Sequence, residues 1–118
     1  MGAWRERPSG WPLGMPEPGD ERWAGWAEHW MSAHVVPLWL AQVASEADVG
    51  PLLSARLAWR MRMAEVGALE TSAPWLHQAL VDAKVPEADV AEISRAVAAD
   101  IARRRERLAE LEVIAAYL

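Results

Sequence analysis

Three histidines, His29, His34 and His77, are the residues best able to hold a metal or carry a proton near neutrality. His29 and His34 lie five apart, about 140° around a helix, so they do not share a face as an i, i+4 zinc pair would. With Glu28 beside them they are the candidate metal ligands. The plainer expectation is that no metal binds, that His29 faces solvent, and that His34 closes a helix C-terminus, where a cation is favoured. His77 stands in Trp75-Leu76-His77-Gln78, on a short helix ahead of a long one. Imidazole is also a ligand of haem iron. His77 or His34, with nearby tryptophans, is therefore the candidate for an aromatic or tetrapyrrole ligand. The plainer expectation puts His77 on an amphipathic helix surface, with no cofactor.

The other chemistry-bearing residues fall into ordinary patterns. Glu92 with Arg95, Asp100 with Arg104 and Arg107 with Glu110 are spaced three or four apart, which marks solvated helix faces. No carboxylate pair has the isolated apolar setting of a tuned acid and base. There is no glycine-rich phosphate loop, no nucleophile elbow and no cysteine. No catalytic residue is assigned, and the chain is not expected to be an enzyme by itself. The run Arg103-Arg104-Arg105-Glu106-Arg107 is the one basic cluster, in a chain of formal charge -5. Nucleic-acid binding needs a summed basic field, so a salt-bridged face, or a patch that docks on an acidic partner protein, is expected instead.

Eight tryptophans, six of them in the first 40 residues, are the unusual feature. Each can bury on the order of 200 Å². Trp23, Trp26 and Trp30 recur at i, i+3, i+7, as a core stripe would. Trp4 and Trp11 sit in a proline- and glycine-rich stretch, with Leu13 and Met15, where ordinary core is not expected. Tryptophan and arginine dominate interface hot spots. An extended arm of this kind can wrap a neighbour and order on binding.

The elements that position these residues follow from length and periodicity. The chain has 118 residues, 53% hydrophobic and 25% charged, which suits one domain with a real core. Its arginine-for-lysine bias and missing phenylalanine fit a high-GC bacterial or phage genome. No run reaches the roughly 18 to 20 apolar residues of a membrane span. Residues 1–19 lack the apolar region of a secretory signal, so a cytoplasmic protein without membrane contact is expected. Asp20 reads as an N-cap with Glu21 in the first turn, and Pro37 ends this helix. A second short helix covers residues 37–45. A third starts at Pro51 and runs to about Leu69, with Leu53, Leu57, Met61 and Ala64 on one stripe and Trp59, Met63 and Val66 filling the other side. Thr71-Ser72 caps a fourth, with Pro74 in its first turn. The last runs from Pro86 to about Tyr117, with Val90, Ile93, Val97, Ile101, Leu108, Leu111, Ile114 and Leu118 on one stripe.

The last helix would span roughly 45 to 48 Å, whereas a compact domain this size has a radius of gyration near 13 to 14 Å. Its end is expected to project or pair. The expected architecture is all-α. About five helices form a small bundle over residues 20–118, behind an extended arm at 1–19. The expected role is non-catalytic: an accessory or assembly subunit of a larger complex, such as a multisubunit enzyme or phage-type particle. Trp4, Trp11, Leu13 and Met15 of the arm, with Arg104, Leu108, Leu111 and Ile114 of the last helix, would meet a protein partner or a second copy.

Overall fold

The computed structural model describes residues 11, 12 and 14–118. Among these the chain is helical throughout its regular structure, in four helices rather than five. They are α1 (Trp23–His34), α2 (Leu38–Glu46), α3 (Pro51–Asp82) and α4 (Glu87–Ala115). None is long and apolar enough to cross a membrane.

The missing boundary is at Thr71. This side chain does not cap a new helix. Its hydroxyl donates to the Gly67 carbonyl four residues back, at 2.9 Å, as a threonine inside a helix does. Pro74 therefore lies within α3. Its ring removes one ladder bond, at a cost of about 3 kcal/mol. Packing against α4, where Ala73, Leu76 and Leu80 become half-buried, offsets that cost.

α1 also begins later than its acidic start signal suggests. The Asp20 carboxylate accepts hydrogen bonds from the Arg22 backbone N–H at 2.8 Å and from its guanidinium at 2.9 Å. That local turn precedes the helix and leaves Arg22 at the N-cap. The Arg22 guanidinium holds the Asp20 carboxyl down at about 2.

Both tight helix ends use the same device. After α2, Val49 N–H reaches back to the Ala44 carbonyl at 2.8 Å, with Asp48 at φ 55. After α3, Val85 N–H reaches the Leu80 carbonyl at 3.2 Å, with Lys84 at φ 63. These are Schellman closures, in which the left-handed position is usually glycine. A non-glycine residue there costs roughly 1–2 kcal/mol, and glycine gives back about half in unfolded-chain entropy. Lys84→Gly should therefore raise stability by about 0.5–1 kcal/mol in urea unfolding. A loss of that size would show that the lysine side chain supports the turn.

The four-residue link after α3 turns the chain back on itself. As α3 advances from Glu65 through Glu70 to His77, its partners on α4 recede from Arg104 and Arg105 to Ser94. α3 and α4 thus form an antiparallel hairpin. The core lies at its open end, where α1, Leu40 of α2, Ala55, Ala58 and Val66 of α3, and Leu108, Leu111 and Ile114 of α4 meet. Of the expected α1 stripe, Trp23 and Trp30 are buried, but Trp26 is 48% exposed. The N-terminal segment joins the same core. Trp11 stacks on Trp23 with ring centroids 6.3 Å apart, meets Tyr117 edge-on at 5.6 Å, and donates its indole N–H to the Met15 carbonyl at 3.1 Å. Towards the turn the hairpin has only two layers, and Val90 is its one fully covered apolar residue. The molecule measures 60 × 37 × 17 Å with a radius of gyration of 18.2 Å.

Candidate interaction surface

Several residues expected to meet a partner are occupied within the chain. Trp11 and Met15 are buried in the core, as are Leu108, Leu111 and Ile114. These side chains are not on display, because α1 and the N-terminal segment cover the open end of the hairpin. Trp4 and Leu13 lie outside the described residues.

Arg104 is held on both sides. It contacts Asp100 at 2.9 Å and Glu65 at 3.2 Å, so it ties α4 to α3. The guanidinium depresses the Asp100 carboxyl below its ordinary value. Arg62 binds Glu65 at 3.0 Å and donates to the Val35 carbonyl at 2.9 Å, which fixes the end of α1. Arg107 binds Glu110 at 3.1 Å. With His34, Val35 and Leu108, these arginines enclose a hollow of about 240 Å³. The hollow is basic by residue type, yet each arginine already faces a carboxylate. The remainder of the basic run is treated alike: Arg103 meets Asp100, and Arg105 meets Glu70 of α3.

Glu110 is the buried member of this group, and burial pushes its carboxyl upward. Glu106 pushes the same way, while Arg107 and His34 pull it down. A carboxyl raised in the folded state binds protons there more tightly than in the unfolded chain. Its contribution therefore falls as pH rises above the ordinary glutamate value. Glu110→Gln lacks that loss, so its stability relative to the parent should increase between pH 4.5 and 7. Urea titrations at several pH values measure this, and a difference that declines with pH would reverse the assignment.

The histidines are dispersed. His77 is exposed on α3, with Nδ1 3.3 Å from the Ser94 hydroxyl. His34 lies beside the Trp30 ring at the end of α1. His29 sits in a shallow hollow with Arg22 and Trp26, and Glu28 lines a different one. Among the described residues no three His, Asp or Glu side chains are grouped to hold a metal ion.

The surface that stands open is on α2 and α3. Leu38, Trp39 and Val43 project from α2, while Leu40 and Ala44 face inward. On α3 the expected core stripe is turned partly outward, since Leu53 is 51% exposed and Leu57 is also exposed. The side that packs inward is instead Ser54, Ala55, Ala58 and Val66. Small residues there let α3 lie close to its neighbours, a role that hydrophobicity alone does not announce. A groove of about 700 Å³ opens beside the outward stripe, between Leu53, Leu57 and Trp59 of α3 and Leu111 and Ala115 of α4. Arg56, Arg60 and Glu112 stand at its rim without ion pairs among the described residues. Further along α3, Trp75 is 72% exposed. Comparison with protein families, curated proteins and solved structures returned no match.

Proposed function

We propose that this chain is a non-catalytic interaction protein, an accessory or assembly subunit of a larger complex, such as a multisubunit enzyme or phage-type particle. The reading includes a small helical bundle over residues 20–118 and an N-terminal arm over 1–19. It rests on one observation: α2 and the ion-paired α3–α4 hairpin display large apolar side chains to solvent, Leu38, Trp39 and Val43 on α2 and Leu53 and Trp75 on α3. A cluster of exposed large apolar side chains, such as Leu38, Trp39 and Val43 on α2, is the usual mark of a surface made to be covered.

The test is isolation of the tagged chain from its native cells, beside a Leu38→Ser/Trp39→Ser/Val43→Ser variant. All three positions are exposed, so the variant should fold. A subunit of a complex should bring defined chains at fixed stoichiometry, and the variant should lose at least one. Recovery of the chain without another protein would reject the assembly role.

A further inference from the structure

We propose that two copies of this chain pair through the outer face of α3, antiparallel, each placing Trp75 in the other's apolar groove. This deepens the interaction reading and rests on it.

Leu57, Met61, Ala64, Ala68, Thr71 and Trp75 follow one another at steps of four and three, the spacing of a coiled-coil seam. Leu57 borders the groove that α3 forms with α4, and the seam continues from there along the outer side of α3. All six are exposed except Met61, which is half-buried against the core, whereas Ala55, Ala58 and Val66 point into it. Its bulk is unevenly distributed: leucine and methionine at one end, alanines in the middle, tryptophan at the other. Such a profile fits a second copy running the opposite way. With a twofold axis level with Val66, Leu57 comes opposite Trp75 of the second copy, Met61 opposite its Thr71, and Ala64 opposite its Ala68. Alanine against alanine lets the two backbones approach closely. Trp75 of the second copy meets Leu57 at the edge of an open space, and Met61 meets the smaller Thr71.

The groove supplies that space. It opens beside Leu53 and Leu57, level with the point that Trp75 of the second copy reaches, and Leu111 and Ala115 of α4 form its other wall. Its volume of about 700 Å³ exceeds an indole, and Arg56 and Arg60 at the rim can lie against the ring face. The register sets neither arginine against a second arginine: Arg56 comes level with Leu76, and Arg60 with Ser72. The contact is isologous, so it closes at two copies. Burial of two tryptophans and the seam between them comes to roughly 1,000–1,200 Å². That is the low end for specific association, so the dimer should be reversible at micromolar concentration.

Sedimentation equilibrium of the full chain from about 1 to 500 µM should show monomer passing to dimer. Trp75→Ala and Leu57→Glu, made at opposite ends of the seam, should each weaken association at least about 100-fold, with circular dichroism unchanged. The chain has no cysteine, so register can be read by cross-linking. In the proposed pairing, Met61→Cys chains mixed with Thr71→Cys chains should join on oxidation. Neither should join to itself, because like positions lie about 15 Å apart along the axis. A monomer throughout the range, a dimer indifferent to both variants, or self-joining of Met61→Cys would each overturn the pairing. A monomer that still holds a stoichiometric partner in the isolation experiment removes the pairing and leaves the assembly role standing.

Discussion

Leu111→Asp should unfold the chain. Leu111 is 1% exposed and lies among the most deeply covered side chains, with Val66 and Ile114. Truncating a leucine in such a place costs about 2–5 kcal/mol. An aspartate adds a carboxylate that must be desolvated or protonated there. Small domains hold only about 5–15 kcal/mol in total, so the far-UV helical signal should be largely lost at 25 °C. Leu108→Ala and Ile114→Ala should each cost about 2–5 kcal/mol without abolishing the fold. A Leu111→Asp chain with intact helicity and weakened association would return this residue to an external interface.

Trp11→Ala should be the most damaging single change outside the helices. It removes the stack on Trp23, the edge contact with Tyr117 and the indole hydrogen bond to Met15. Large-to-small changes at buried tryptophans cost about 3–5 kcal/mol, enough to lower the midpoint of a domain this size by roughly 10 °C or more. Deleting residues 1–18 removes Trp11 and Met15 together and should cost at least as much. Acrylamide quenching gives a second measure, since Trp11, Trp23 and Trp30 are buried while Trp26, Trp39 and Trp75 are open. A deletion that left the midpoint within a few degrees would show that the segment contributes little to the core.

Local signals in the sequence carried most of the helical layout. Pro37 and Pro51 mark real boundaries, and the long last helix falls within two residues of its expected ends. The pairs Asp100–Arg104 and Arg107–Glu110 form as their spacing implies. What failed was everything decided by a second helix. Pro74 reads as a helix start because its own neighbours cannot reveal that α4 lies alongside. Glu65–Arg104 and Glu70–Arg105 join residues more than thirty positions apart, beyond any periodicity. The α3 stripe was misassigned for the same reason. Leucines at 53 and 57 advertise burial more strongly than alanines at 55 and 58, yet close packing selects the alanines. The candidate surface was therefore largely hidden, because it consists of apolar residues that ordinary patterning assigns to the interior.

The length of the hairpin governs how the molecule moves through water. A radius of gyration of 18.2 Å stands well above the roughly 13 to 14 Å of a compact chain of equal length. Friction follows extent rather than mass, so a single copy should leave a gel-filtration column ahead of globular standards of its own size. Its elution volume would mimic a heavier particle before any association occurs. Tumbling should also be anisotropic, with spin about the 60 Å axis faster than end-over-end rotation. Fluorescence anisotropy of an end-labelled chain should accordingly decay with two correlation times even in the monomer.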